Sequence, residues 1–243
     1  MKKYDLIIGF GCSFMEGGGL DNQTIHMRMH GLETPISLNE TEEFRYKNNF
    51  IAYLAELYNC EYINFAESRC PNDLIFENIY KYFNNNVSDK KILLVGQISL
   101  FNRIYAYYEP IEKFVKVSAL RWEDHPFNSE PKMKELYDYF ERHLKYIYNE
   151  DAEYKKTVRN IETYTAWLTE KNVDSVWLSY EGRPEQFVES KNFIKFDGDN
   201  LGAYVEKNKL RLKDDPILKT DDLHMTINAH RLVANTIYEK ISG

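Results

Sequence analysis

The sequence has few cysteines, no long apolar run and no excess of basic residues. Three cysteines in 243 residues, with no Cys-x-x-Cys pair, argue against a disulfide framework and are typical of reduced thiols. No stretch approaches the roughly 18 apolar residues of a membrane span. The apolar run at 6–8 is also shorter than a signal-peptide core of about 7–15 residues. We therefore expect no membrane insertion, and a protein located in the cytoplasm or in a virion.

Basic charge is too scarce for a protein that works on polyanions. Lysine and arginine number 31 against 38 acidic residues, for a net charge of −7. A nucleic-acid-binding domain carries a basic face, and electrostatic attachment to anionic lipid also needs one. The composition therefore predicts no nucleic-acid partner.

Apolar segments alternate with helical periodicity along the chain. Apolar residues make up 43% and aromatic residues 15%, which is enough for a core. Strands are predicted at 4–9, 60–66, 90–99, 173–182 and, more briefly, at 192–196. Helices are predicted in between, and the last runs over about 226–241. This alternation is typical of an α/β domain with a mainly parallel sheet.

The chain has no internal repeat and no low-complexity linker. We predict one domain over 1–243, with an inserted loop region around 17–43 and a candidate hairpin insertion around 103–130. A loop of that length in a compact domain is usually functional or mobile. The glycines at 17–19 are interpreted as clearance for that loop.

Several polar residues are predicted to meet at the carboxyl edge of the sheet, where sites of open parallel sheets gather. Ser13 follows the first strand and Ser99 the third, while Asp221 and His224 precede the last helix. A serine, a base and an orienting acid are the set that nucleophilic acyl transfer needs. Each also has a structural interpretation, because serine is common in turns and Asp-Asp often begins a helix.

Three short blocks carry a resemblance to a known family. "GCSFMEGG" places a Gly-x-Ser directly after the first strand, and "INFAES" has the Asn-x-Ala that follows the second strand. "DDLHMTINAHRLVA" leads through an Asp-x-x-His into the last helix. In content and order these blocks resemble those of the SGNH (GDSL-like) serine hydrolases. The resemblance implies a three-layer α/β/α, flavodoxin-like fold with a sheet of about five strands.

The resemblance also implies roles for individual residues. Ser13 is the expected nucleophile and its backbone N–H one oxyanion donor. His224 is the expected general base, and Asp221 is expected to orient it, with Asp222 as the rival. No cofactor or metal is implied. The implied substrate is a small ester, either an O-acetyl group on a carbohydrate or a short acyl ester.

The sequence departs from the family at the oxyanion hole. Arg69 stands where the family has a glycine whose backbone N–H donates, and its side chain is also a candidate anion clamp. Ile98, which has no side-chain donor, stands where the family has an asparagine. Ser99, Gln97 and Asn102 are candidate replacements, and Ser99 is preferred. Asn72 is interpreted as the cap of the helix after the second strand, or else as a residue lining the cleft.

Two other functions remain open. Arg69 and Ile98 also suit an SGNH fold whose site has decayed into a glycan-binding or structural module, either self-associated or part of a larger assembly such as a phage particle. A third hypothesis is a metal-dependent phosphoesterase that uses His26, His30, Asp221 and His224. Its motivation is the four-residue spacing of His26 and His30, which can bind zinc on a helix.

Overall fold

The computed structural model describes residues 3–34, 36–86, 88–101, 103–108, 112–117, 131–182 and 192–242. Its strands are β1 (Leu6–Phe10), β2 (Glu61–Asn64), β3 (Ile92–Ile98), β4 (Ile104–Tyr108), β5 (Lys113–Val117) and β6 (Val173–Ser179). Its first helices are α1 (Ser13–Glu16), α2 (Gln23–His30), α3 (Leu38–Lys47), α4 (Phe50–Tyr58) and α5 (Asn72–Asn85). The later ones are α6 (Pro131–Tyr146), α7 (Glu150–Glu170), α8 (Leu201–Lys207) and α9 (Ile227–Ser242).

The main sheet has the strand order β2-β1-β3-β6, and its pairs are parallel. β1 is central, with Leu6 opposite both Glu61 of β2 and Ile92 of β3. Every residue of β1 and β3 is buried, as expected for strands covered on both faces. Strand order reverses between β1 and β3, and such a switch point opens a crevice at the carboxyl ends of the two strands.

Alternate side chains of these strands enter two separate cores. Ile7 and Leu93 belong to the core formed with α4, α8 and α9. Leu6, Ile8 and Ile92 belong to the core formed with α5 and α7. The sheet therefore lies between two helical layers, because successive strand side chains point to opposite faces.

Four strands of the expected five lie in the main sheet of the described chain, so the fifth is not confirmed. The segment predicted as a short strand at 192–196 contributes only one parallel bridge, between Phe193 and Trp177. Two hydrogen bonds hold it, Trp177 N–H to Asn192 O at 2.8 Å and Ile194 N–H to Trp177 O at 2.7 Å. Phe196 then pairs with Asp199 in a turn, which ends the extension along β6.

The region predicted as an inserted loop is largely helical. α2 begins at the Asn22 cap, whose side chain accepts from two backbone N–H groups, and α3 begins at a capping box of Ser37 and Glu40. The sequence did not predict these helices because their apolar periodicity is weak. Their capping residues, and not a broad apolar face, mark where they begin. Within 103–130, β4 and β5 pair antiparallel, while 109–111 and 118–130 lie outside the described residues. No helix of the described chain is long and apolar enough to cross a bilayer.

Candidate active site

Ser13 lies where β1 passes into α1, at the carboxyl edge of the sheet. It is the first residue of that helix and 5% exposed. The cap residue Cys12 gives no side-chain hydrogen bond to the helix start. A helix start leaves its first N–H groups without intrahelical acceptors. The N–H of Ser13 is therefore available to a negative charge that develops beside its hydroxyl.

His224 is held by Asp222 and not by Asp221. The Nδ1 of His224 lies 2.7 Å from Asp222 Oδ1, and the His224 backbone N–H donates to the same oxygen at 2.8 Å. Asp221 is exposed, and within the described chain it makes no contact with the imidazole. The orienting contact predicted for Asp221 is thus made by its rival. The reason is local, since an aspartate two residues before the histidine closes a tight turn that accepts both of its N–H groups.

The carboxylate of Asp222 is suited to remain charged. Burial alone would raise its pKa, but the hydrogen bonds from the His224 side chain and backbone outweigh burial and lower the pKa below its ordinary value. An ionised Asp222 favours the His224 tautomer with the proton on Nδ1. The other nitrogen, Nε2, then carries the lone pair that a general base needs.

The glycines after Ser13 make room for this pair. A Cβ on Gly18 would lie 2.7 Å from His224 Nε2 and 3.1 Å from the carbonyl oxygen of Ser13. A Cβ on Gly19 would lie 2.8 Å from Asp222 Oδ2. Gly18 and Gly19 therefore make room for the histidine and aspartate, whereas a Cβ on Gly17 would lie 3.1 Å from Arg45 of α3.

His224 and the Ser13 turn are adjacent, and in the described chain no hydrogen bond joins Ser13 Oγ to the imidazole. The ring of Phe14, the residue after Ser13, lies 4.9 Å from the His224 ring between centroids. The Phe14 ring also stacks on the ring of Tyr180, with centroids 3.4 Å apart. Catalytic hydrogen bonds are often long without substrate and tighten in the complex. Gly18 lies against both the His224 ring and the carbonyl oxygen of Ser13, which makes the two segments neighbours.

The helix α3 fixes the turn from outside through Arg45. Its guanidinium lies 3.0 Å from Glu16 and 2.8 Å from Asp21, so one cation ties the end of α1 to the end of the glycine turn. Asn64, at the end of β2, adds a bond from its amide to Met15 O at 3.1 Å. The Asn-x-Ala block therefore supports α1 directly.

Arg69 retains a glycine-like backbone. Its φ is +60°, in the left-handed region that favours glycine, although its side chain is exposed. The preceding residues hold this segment beside the chain that leads to Ser13, because Glu67 N–H donates to Gly11 O at 3.1 Å. Within the described chain the N–H of Arg69 has no acceptor. It can therefore serve as the second backbone donor expected at this position.

Ser99 and Asn72 form a structural link and not an open donor. Ser99 is fully buried, and its N–H donates to Asn72 Oδ1 at 2.7 Å. Asn72 Nδ2 donates to Ser99 O at 3.4 Å, and Arg103 Nη1 donates to Ser99 Oγ at 2.6 Å. The cap of α5 is Pro71, so the prediction that Asn72 caps that helix is wrong. Asn72 instead ties α5 to the end of β3.

Ile98 and the donor candidate Gln97 are both fully buried. Ile98 is buried in the core with α5 and α7. Gln97 is fully buried on the opposite face, where Cys12 N–H donates to its Oε1 at 3.4 Å. A Cβ on Gly11 would lie 2.8 Å from Gln97 Cβ, so Gln97 packs directly under the turn. Asn102 lies outside the described residues.

The histidines proposed as metal ligands pack on an aromatic ring. The rings of His26 and His30 are 4.4 Å apart, and both meet Phe44 edge-on. In the described part of the chain, no group of three or more histidine, cysteine or acidic residues is placed to hold a metal ion. The four-residue set of the phosphoesterase hypothesis is therefore not assembled.

Sequence reasoning missed Arg45 and Arg103 at this edge, and it did not foresee that Gly18 makes room for His224. For Gly18 a signal existed, since three consecutive glycines after a serine leave space that another group must fill. For Arg45 and Arg103 there was none, because their partners Glu16, Asp21 and Ser99 are fixed only by the fold.

No protein-family model matches this sequence, and no curated protein matches it at a significant level. Among solved structures, the chain is similar to the psychrotrophic esterase EstA of Pseudoalteromonas sp., inhibited by monoethylphosphonate. The two share 10% identity at a TM-score of 0.46, over 98% of this chain and 97% of that one. It is also similar to a member of the lipolytic G-D-S-L family from Veillonella parvula DSM 2008. Here the identity is 12% and the TM-score 0.40, over 96% of each chain.

Proposed function

We propose that this protein is a serine hydrolase that cleaves a small carboxylic ester through an acyl-enzyme. The observation that carries the proposal is the His224–Asp222 pair, 2.7 Å apart, packed against the glycine turn that begins at Ser13. A serine hydroxyl attacks poorly unless a base accepts its proton, and the base acts best when a carboxylate stabilises its cation. In this proposal Ser13 supplies the hydroxyl, His224 the base and Asp222 the carboxylate.

The reaction follows from the positions of these groups. Ser13 Oγ attacks the ester carbonyl carbon while His224 Nε2 accepts the hydroxyl proton, and the negative charge moves to the carbonyl oxygen. The backbone N–H groups of Ser13 and Arg69 stabilise that oxyanion. Collapse expels the alcohol, which takes the proton from His224. Water then attacks the acyl carbon as it loses a proton to His224, and the acid is released as the C–Oγ bond breaks and His224 returns that proton to Ser13 Oγ.

The substrate is proposed to be an O-acetyl carbohydrate or a short acyl ester. Both fit a serine that is 5% exposed at the end of a strand, with a histidine that remains 29% exposed. No metal is required, since the oxyanion is stabilised by backbone donors.

The test is hydrolysis of p-nitrophenyl acetate by wild type, Ser13→Ala and the control Ser88→Ala. Ser88 is exposed and distant in sequence from the edge. We expect the control to match wild type and Ser13→Ala to lose about 10⁴-fold or more in kcat. Equal turnover by wild type and Ser13→Ala removes Ser13 as the nucleophile. A wild type without ester hydrolysis supports instead the binding or structural module, which the missing Ser13–His224 bond within the described residues also favours.

A further inference from the structure

A second candidate site is a cleft beside the nucleophile turn, between the end of β2 and the helix α5. Its volume is about 530 Å³, within the range of small-molecule sites. Its lining includes Phe10, Phe65, Tyr82, Asn78 and Asn85. None of these residues takes part in the proposed ester chemistry.

The floor of the cleft is aromatic. Phe65 stacks on Phe10 with centroids 5.1 Å apart and rings inclined by 23°, and Tyr82 closes against Phe65 at 5.2 Å. Phe10 is buried, whereas Phe65 is 41% exposed although it is a large apolar residue. Phe65 therefore presents a supported ring surface to a ligand.

One face of α5 supplies the polar wall. Asn78, Lys81, Tyr82 and Asn85 are spaced at i, i+3, i+4 and i+7, so they lie along one side of the helix. Within the described chain the side-chain amides of Asn78 and Asn85 have no hydrogen-bond partner. An amide both donates and accepts, and so does a sugar hydroxyl.

The charges of the cleft favour a neutral ligand. Lys81 is engaged by Glu77 at 2.5 Å, and the lining also includes the carboxylate of Glu67. A phosphate or carboxylate ligand would need an arginine fork or an uncompensated cation there. A neutral ring with apolar C–H faces and equatorial hydroxyls meets both the aromatic floor and the amides.

Backbone hydrogen bonds tie the β2 side of the cleft to the strand that leads to Ser13. Glu67 N–H bonds to Gly11 O at 3.1 Å, and Phe65 N–H bonds to Gly9 O at 2.8 Å. Phe10 precedes Ser13 by three residues, which limits their Cα separation to about 11 Å. A short chain of sugar rings spans that distance.

We propose that this cleft binds sugar rings of a neutral oligosaccharide, so that the ester cleaved at Ser13 is an O-acyl group on a glycan and not a free short acyl ester. The inference rests on the proposed function for its second half, while the binding of sugar rings stands independently. Tyr80, on another face of α5, is a matched control. It is 49% exposed and lines a separate aromatic groove with Tyr164 and Trp167.

The experiment is calorimetric titration with chitohexaose, xylohexaose and cellohexaose at millimolar concentration. We expect at least one of them to bind wild type, Ser13→Ala and Tyr80→Ala alike. Phe65→Ala weakens that binding about tenfold through loss of the ring face. Asn85→Ala, at an exposed helix end, weakens it about threefold and provides a second variant if Phe65→Ala unfolds.

The proposal that this cleft binds sugar is contradicted if none of the three oligosaccharides binds. It is also contradicted if neither Phe65→Ala nor Asn85→Ala weakens binding. It is also overturned if Tyr80→Ala weakens binding and these two do not. Failure of the two proposals is distinguishable. Ester hydrolysis without oligosaccharide binding contradicts the sugar-binding proposal and supports the serine hydrolase. Oligosaccharide binding that depends on Phe65, without hydrolysis, contradicts the hydrolase and supports the sugar-binding cleft.

Discussion

The nucleophile side of the edge (Ser13, Asp222 and His224) and its oxyanion side (Arg69, Ser99 and Asn72) are built differently. On the nucleophile side, polar side chains are 22–29% exposed at the aspartate and histidine, and they point into space cleared by glycines. On the oxyanion side, the Ser99 backbone and the Asn72 amide bond to each other, and the fully buried Ser99 hydroxyl accepts from Arg103. In the proposed mechanism, charge stabilisation therefore depends on backbone N–H groups, while proton transfer depends on side chains.

The largest expected effect separates the two neighbouring aspartates. Asp222→Asn keeps the shape of the turn but removes the charge that favours the His224 tautomer, so kcat for p-nitrophenyl acetate falls about 10⁴-fold. Asp221→Asn is the matched control and stays within about twofold of wild type, because its side chain is exposed and away from the imidazole. A larger loss of kcat in Asp221→Asn than in Asp222→Asn would contradict this assignment and support Asp221 as the orienting acid.

The next effect tests whether glycine clearance holds the base in place. Gly18→Ala inserts a methyl group 2.7 Å from His224 Nε2, and the displaced imidazole lowers kcat about 10²-fold. Gly31→Ala is the control, since its methyl group meets nothing within 4 Å while its φ of +63° makes it slightly strained. Steady-state rates of both variants decide the matter, and equal rates would show that Gly18 does not position His224.

A third prediction concerns the buried support of the nucleophile side. His230 of α9 is fully buried, and in the described chain neither ring nitrogen has a hydrogen-bond partner. Burial lowers its pKa to about 3, and His224 acts in the same direction. The unfolded chain therefore binds the proton first, and the free energy of unfolding falls as pH drops from about 6.5 to about 3, by roughly 1.4 kcal/mol per pH unit.

This acid sensitivity is measured by urea unfolding between about pH 7 and about pH 4. His230→Leu replaces the imidazole with an apolar side chain in an apolar core, so its stability declines less steeply over that range. Parallel pH slopes in wild type and His230→Leu would contradict the assignment.

The smallest expected effect lies on the oxyanion side. Ser99→Ala leaves the N–H bond to Asn72 intact and removes only the hydroxyl that accepts from Arg103. We expect kcat to fall less than about fivefold, against about 10²–10³ for a true oxyanion donor. The free energy of unfolding should fall by roughly 1–3 kcal/mol, because Arg103 loses its acceptor. A 10²–10³-fold loss of kcat in Ser99→Ala would instead support Ser99 as an oxyanion donor.

The elements that position the nucleophile could be predicted because their signals are local. Continuous apolar runs gave the buried strands β1 and β3, and the placement of Ser13 followed from the end of the first run. The choice between Asp221 and Asp222 could not be made, since both precede His224 and only the turn geometry distinguishes them. The cap assigned to Asn72 was wrong for a related reason, because its hydrogen bonds with Ser99 depend on how α5 meets β3.

The helices α2 and α3 escaped prediction because caps define them better than apolar periodicity does. Asn22 and the Ser37–Glu40 capping box were present in the sequence, yet glycines and polar residues around them favoured a loop. Arg45 illustrates the consequence. Its contacts with Glu16 and Asp21 cross the inserted region and appear only once α3 is in place.

The most direct test of the account is peptide mapping by mass spectrometry after treatment with a fluorophosphonate. The account predicts one stoichiometric adduct on the peptide that contains Ser13. The adduct should be absent in Ser13→Ala and strongly slowed in Asp222→Asn. An unlabelled wild type, or an adduct on any other residue, would contradict the claim that Ser13 is an activated nucleophile.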